Sequence, residues 1–310
     1  METRPHRQLA DAGPVPTAAS DRPTALVTGS NGGIGLALAE KLAADGWRVL
    51  LHGRDAEKLA RARGRLGGDS HASFRADLSR LGDVRDLAEA VREATDRLDV
   101  LVHNAGLVRR SFSRIAGIEA TAAVNVLAPH VLTGALRPLL EATARDHGGA
   151  RVVTVSSEAH RGASFPHADP DAFADWLRGP SDPARYSSIQ AYARSKLAAT
   201  TWAFALARRL EGTGVTSNAC HPGVVRTGVF DGVAGVIGML ARLSAPLYLS
   251  PEAGAESPLM LATDPRYGWE TGRWVTRGRF RGPHPADPPA ATLDPANGSA
   301  LWDALARLAG

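Results

Sequence analysis

The chain has one cysteine, Cys220, in 310 residues, which excludes an internal disulfide framework and a multi-cysteine zinc site. Nor is there an uncharged apolar run of about 18 residues, the minimum for a membrane span. The first 23 residues, METRPHRQLADAGPVPTAASDRP, lack the apolar centre of a secretory signal. These absences predict a cytoplasmic protein for which membrane contact is not expected. Lysine is scarce and arginine replaces it almost throughout, scattered except for pairs such as Arg109-Arg110 and Arg208-Arg209. With 36 basic against 32 acidic residues the net charge is only +4, and without a clustered basic stripe no nucleic-acid partner is expected. None of the ten histidines stands in H-E-x-x-H or a similar spacing, so no metal is expected.

What is present is enough to build a core. A chain with 44% hydrophobic and 22% charged residues is neither disordered nor collagen-like, and its length fits one large α/β domain or two small ones. Proline marks where regular structure should be absent. Four of the twenty prolines lie within residues 1 to 23, four within 165 to 183 and five within 281 to 298. Between those clusters short apolar runs alternate with stretches of helical period: Ala25 to Thr28 then Ile34 to Ala44, Arg48 to Leu51 then Ala56 to Leu66, Ala72 to Arg75 then Val84 to Arg97, Val100 to His103 then a long helix. The rhythm continues through Arg151 to Val155, Ser188 to Leu210 and Val215 to Ala219. It predicts α/β architecture, a single doubly wound domain of Rossmann type with about seven parallel strands and helices on both faces.

The first strand runs into Thr28-Gly29-Ser30-Asn31-Gly32-Gly33-Ile34-Gly35 and then a helix. Glycines there let backbone N–H groups and the helix dipole face a pyrophosphate with no Cβ in the way. The spacing is G-x-x-x-G-x-G rather than G-x-G-x-x-G. This turn resembles that of the short-chain dehydrogenase/reductase family, and five further motifs follow in the family's order: Asn104-Ala105-Gly106, Asn125 in VNVLAPH, Ser156-Ser157, Tyr192-Ala-Arg-Ser-Lys196, and His221-Pro-Gly-Val-Val-Arg-Thr227. Together they span about residues 24 to 276. Segments such as Val155 to His160 and Ser244 to Ala255 look most like the retinol-dehydrogenase-like and WW-domain-oxidoreductase-like branch.

The resemblance implies a nicotinamide cofactor held by Gly29, Ser30, Asn31, Gly33, Ile34 and Gly35, with Asp77 and Leu78 flanking the adenine and Asn104, Ala105 and Gly106 beside the adenosine. It also implies that the backbone of Val225, with Pro222, Gly223 and Thr227, grips the carboxamide, and that Tyr192 and Lys196 border the cofactor. At the end of the second strand an NAD site usually places a carboxylate for the ribose. Here that position is Gly53, followed by Arg54, whose forked donor suits a 2′-phosphate, so NADP(H) is favoured over NAD(H). An ordinary solvated Arg54, with Asp55 reaching the ribose instead, is the competing reading.

Tyr192 is the candidate acid/base. A phenol normally titrates near 10. Lys196, one helical turn on, and the charge of an oxidised nicotinamide are expected to lower it. A cation ~4 Å away at an effective dielectric near 20 is worth roughly 4 kcal/mol, enough to bring the phenol near 7. Among four tyrosines, Tyr186 has Gln190 at the equivalent offset, so only Tyr192 of this pair has a lysine. By resemblance Ser157 holds the substrate oxygen, with Ser156 the alternative, and Asn125 holds a water that connects the lysine to solvent. Asn125 could instead cap or kink a helix ahead of Pro129, and His160 lines the cleft or, as favoured here, caps a turn.

The expected layout is a leader over 1–22 and one NAD(P)-binding domain over 23–310. Within it lie an insertion at 158–187, an apolar segment at 229–249 that reads as a lid over a small lipophilic substrate, a proline-rich loop at 281–298 and a last helix at 299–309. That lid could also be a peripheral packing helix or a membrane-surface helix. The function implied is hydride transfer between NADP(H) and a mid-sized apolar alcohol, aldehyde or ketone. A nucleotide-sensing binding protein that has lost turnover is the alternative. The resemblance leaves the oligomeric state open: members of the family often form a homodimer or homotetramer through the long helices after the fourth and fifth strands, but this branch need not.

Overall fold

The strands are β1 (Thr24–Val27), β2 (Arg48–Gly53), β3 (Ala72–Arg75), β4 (Val100–His103), β5 (Arg114–Ile115), β6 (Ile118–Glu119), β7 (Ala150–Val155), β8 (Val215–Cys220), β9 (Trp274–Arg277) and β10 (Pro283–Pro285), and short apolar runs build the central ones, β1, β2, β4 and β7. The computed structural model describes residues 21–225 and 248–310. Eight strands form one sheet in the order β10-β9-β8-β7-β4-β1-β2-β3, and β5-β6 is a separate small hairpin. Neighbours from β3 to β9 pair in parallel, and β10 pairs antiparallel to β9. The seven parallel strands agree with expectation, and the eighth is an addition.

Side chains alternate across the strands, so consecutive residues feed two cores. Leu26, Leu50, Leu101, Val152 and Trp274 face one layer, with α3 (Leu81–Ala94), α4 (Ala128–His147), α6 (Ser188–Arg209) and α8 (Pro295–Ala309). Val27, Leu51, Val102, Val153 and Val275 face the other, with α1 (Gly33–Ala44), α2 (Ala56–Leu66) and α7 (Glu256–Thr263). Both faces of the sheet are therefore dry, the condition a parallel sheet needs.

Two of the proline clusters hold regular structure, contrary to expectation. Pro170 opens helix α5 (Pro170–Arg178), where its missing N–H costs nothing. The stretch 281–298 contains the edge strand β10, which tolerates proline because its outer side has no partner strand, and the helix Ala290–Leu293. The last helix begins at Pro295 rather than 299, capped by Asp294. Helix α8 lies against α5 and α6 and touches α4 at one point: Leu301 and Leu305 are buried, and the Trp302 ring sits 4.8 Å from that of His130 and 4.3 Å from the Arg209 guanidinium.

Candidate active site

The chain leaves β1 on one side toward β2 and β3, then returns to lay β4 on its other side, which opens a crevice at the C-terminal ends of β1 and β4. Both glycine-bearing turns lie there and are tied together. The Thr28 hydroxyl accepts the N–H groups of Asn104 and Ala105 at 3.0 and 3.1 Å, and the Asn104 amide donates to the carbonyls of Thr28 and Gly29 at 2.9 and 3.3 Å. Gly29 has φ +66° and Gly33 φ +55°. A Cβ on Gly29 would stand 2.9 Å from the Ala105 Cα, and one on Gly35 would strike the Gly29 carbonyl and the Asn104 amide. Helix α1 has no side-chain cap and no acid in its first turn, so its leading N–H groups are open to an anion. These features fit a dinucleotide pyrophosphate.

His52 is a residue that sequence reasoning passed over. Its Nδ1 accepts the Gly29 N–H at 3.1 Å and its Nε2 reaches the Ala76 carbonyl at 3.2 Å, which makes it the neutral Nε2–H tautomer and a strut under the glycine turn. Burial pushes it down to about 4. Reciprocal bonds join the His52 N–H to the Ser30 hydroxyl at 2.9 Å and the Ser30 N–H to the His52 carbonyl at 2.9 Å. The only prior signal was a histidine at the end of an apolar strand.

At the end of β2, Gly53 leaves room for a neighbour: an added Cβ would lie 2.8 Å from the Asn31 Cγ. Asp55 is engaged as the cap of α2, accepting the Lys58 N–H at 3.0 Å, while Arg54 is exposed. Asp77 accepts the Ser79 N–H at 3.0 Å. Burial works to raise Asp77, but the Ser79 bonds and the charges of Arg54 and Arg80 leave it below the ordinary carboxylate range. Leu78 beside it is buried.

Asn125 sits in a widened π-turn, Ala123–Leu127, of the kind that often marks a functional position. Its amide donates to the Leu107 carbonyl at 3.1 Å and to the Ser195 hydroxyl at 3.0 Å, while its oxygen accepts the Leu107 N–H at 2.9 Å. The Ser195 hydroxyl donates to the Tyr192 carbonyl at 2.8 Å, so Asn125 is bonded to the helix carrying Tyr192 and Lys196 rather than acting as a cap. Gly106 is between them: its added Cβ would be 3.4 Å from the Asn125 Oδ1 and 3.7 Å from the Lys196 Nζ.

The two serines separate by environment. Ser156 is buried and bonded to Thr200 at 2.8 Å and the Lys196 carbonyl at 3.0 Å, whereas the Ser157 hydroxyl accepts the Ala159 N–H at 3.2 Å and is the side chain that works to lower the Tyr192 phenol. The expected lowering of Tyr192 by Lys196 does not appear in the protein alone. Burial raises the phenol, with only the Ser157 bond working downward. Lys196 Nζ is 5.7 Å from the centre of the tyrosine ring and donates to the Val155 carbonyl at 2.9 Å. Burial also brings Lys196 down to about 8, where it still carries its charge at neutral pH.

His160 neither caps a turn nor lines a cleft. It is fully buried, its Nδ1 lies 3.1 Å from the Thr200 hydroxyl, and its ring stands 4.7 Å from that of Trp274. On the far side, Gly223 has φ +85° and would drive a Cβ into Leu249. Val225 bridges to Leu249, and Gly254 packs so close that its added Cβ would be 2.5 Å from the Val225 Cγ2 and 3.1 Å from the Ile34 Cγ1. Gly254 was not foreseen as part of this site. Thr227 and the expected lid up to residue 247 lie outside the described residues. Among the described residues no helix is long and apolar enough to cross a membrane.

Comparison with known proteins identifies the family and the fold. Residues 23–167 match the model of the short chain dehydrogenase family. The chain is 37% identical over 294 residues to dehydrogenase/reductase SDR family member 13 of Bos taurus, covering 93% of this chain and 73% of that protein. It is 33% identical over 297 residues to human retinol dehydrogenase 13 (93% and 84% covered). To the putative daunorubicin C-13 ketoreductase DnrU of Streptomyces sp. (strain C5) it is 35% identical over 291 residues (93% and 92% covered). Among solved structures, RhlG of Pseudomonas aeruginosa in an NADP active-site complex superimposes with a TM-score of 0.64 at 28% identity, covering 83% of this chain and 95% of that one.

Proposed function

This chain belongs to the short-chain dehydrogenase/reductase family, in its retinol-dehydrogenase-like branch, and from that premise we propose that it transfers hydride between NADP(H) and a mid-sized apolar alcohol, aldehyde or ketone, with Tyr192 as acid/base. The carrying observation is the pairing of Tyr192 with Lys196 on α6, the ammonium 5.7 Å from the centre of the phenol ring and buried at the mouth of the glycine-lined crevice, with Ser157 the side chain that works to lower the phenol. When bound, the nicotinamide supplies the hydride donor or acceptor and, oxidised, a positive charge. The glycine turn and the open end of α1 receive the pyrophosphate. Ser157 holds the substrate oxygen and Tyr192 exchanges its proton with that oxygen. Because burial holds the phenol high in the protein alone, Lys196 is one of two cations required to make it acidic, and Asn125 keeps the helix bearing both in register. Val225 and Pro222-Gly223 orient the carboxamide, with Thr227 in support.

NADP(H) is supported by three features: Gly53 offers no carboxylate, Asp55 is occupied as a cap, and Arg54 is exposed at the strand end. The NADP-bound neighbour points the same way. An apolar substrate is supported by the names of the relatives, a retinol dehydrogenase and a ketoreductase. A cytoplasmic setting, small-molecule partners and no nucleic acid belong to the same reading and rest on the composition. The decisive experiment is Tyr192→Phe, read as NADPH oxidation across a panel of lipophilic ketones and aldehydes. Turnover is lost while cofactor binding by fluorescence titration persists, and undiminished turnover overturns the mechanism.

A further inference from the structure

Helix α6 has a second working face. At about 100° per residue, Arg194 lies roughly 200° round the helix from Tyr192, so it points away from the catalytic crevice. On that side a cavity of about 320 Å³ opens between α6, helix α5 and the turn that precedes Asn125. Its walls include Trp176, Leu177 and Tyr186, and its floor includes Ser195, the residue that bonds Asn125 to α6. The volume is that of a small-molecule site.

The chemistry of the lining is selective. Glu119 is buried and both oxygens of its carboxylate are engaged by the protein, accepting from the Thr121 hydroxyl at 2.9 Å and the Ala122 N–H at 3.0 Å and sharing the Tyr186 hydroxyl, at 3.1 Å, with the Arg109 carbonyl. It is tied to its own turn rather than to Arg194. Arg194 is half-buried and lies 5.9 Å over the Trp176 ring, with no carboxylate partner among the described residues. The exposed Arg185 stands at the rim. A half-buried guanidinium against an aromatic wall is the arrangement that receives a carboxylate by its fork and a flat apolar group by stacking. We propose that this cavity is a second binding site, separate from the hydride-transfer crevice, for a monocarboxylate bearing a flat apolar group.

The test is calorimetric titration of naphthalene-2-carboxylate into the full chain, with 2-naphthamide as its uncharged isostere. A ligand of this size binds with a Kd on the order of 1 mM, and the amide binds at least tenfold more weakly. Arg194→Gln lowers the affinity tenfold or more, Arg194→Lys gives an intermediate value because it keeps the charge and loses the fork, and Tyr192→Phe leaves the affinity unchanged. Equal binding of acid and amide, or an Arg194→Gln variant that melts as the parent does and binds equally well, overturns the proposal. So does loss of binding in Tyr192→Phe, which places the ligand in the catalytic crevice. None of these readouts requires turnover, so the result stands apart from the proposed reaction.

Discussion

Replacing Gly35 with alanine tests whether the crevice is held open by the absence of a side chain. The added methyl group meets the Gly29 carbonyl, which is backbone and cannot swing aside, and the Asn104 amide, which must leave. The amide then gives up its bonds to the Thr28 and Gly29 carbonyls, at 2.9 and 3.3 Å, each worth about 1 kcal/mol. Overpacking adds roughly 1–3 kcal/mol, and the better helix propensity of alanine returns about 1 kcal/mol. The net loss is about 2–4 kcal/mol, which for a chain of this size lowers Tm by roughly 3–6 °C. Urea unfolding and thermal melts measure it directly. Gly32→Ala is the control, because nothing lies within 4 Å of its added Cβ, and it changes stability by less than about 1 kcal/mol. In an Asn104→Ala background the cost of Gly35→Ala falls, since one of the two obstacles is gone. A Gly35→Ala protein as stable as the parent, or a Gly32→Ala protein equally damaged, refutes the reasoning.

Arg54→Ala lowers kcat/KM for NADPH by about 10–150-fold, the worth of a charge-assisted bond of ~1.5–3 kcal/mol, and changes the NADH value less than about twofold. A parent enzyme without NADPH preference, or a variant that keeps it, removes the 2′-phosphate assignment. Acid lability follows from the histidines: burial, the first cause in each case, brings His52, His130, His160 and His221 to about 4 and His103 to about 3, against about 6.5 in the unfolded chain. Because the unfolded state takes up their protons first, stability is complete above pH 6.5. It falls as the pH drops from 6.5 through 4, by up to about 1.4 kcal/mol per pH unit for each histidine. Urea midpoints that rise between pH 7 and 5 contradict this. Light scattering after size exclusion returns a monomer, because α8 buries Leu301 and Leu305 against the α5 and α6 side and its Trp302 stacks on Arg209 of α6 and meets His130 of α4, so surface a dimer through these helices would use is already occupied. A dimer would show that another surface is used or that α8 is displaced.

Much of the fold was legible because a parallel sheet writes itself into a sequence as buried apolar runs at regular intervals. Ala56–Leu66, Ala72–Arg75 and Val100–His103 occur at the expected bounds, since burial and period there obey one neighbouring helix or strand. Proline was the misleading signal. It reports a missing N–H, and whether that loss matters depends on what the N–H would have met: at Pro170 and Pro295 it is the free end of a helix, and at β10 the free edge of the sheet.

The amino-acid order by itself determined the family, the parallel sheet and the residue types assembled at its C-terminal edge, because glycine turns and a Tyr-x-x-x-Lys pair are local along the chain. The tertiary structure alone decided that Ser156 turns to Thr200 and the Lys196 carbonyl, that His52 props the glycine turn from the neighbouring strand, and that Gly254 stands against Val225. It also decided that burial holds Tyr192 above its ordinary range. These depend on contacts between residues tens of positions apart and on the exclusion of water. Neither distance nor dielectric is encoded at any single position.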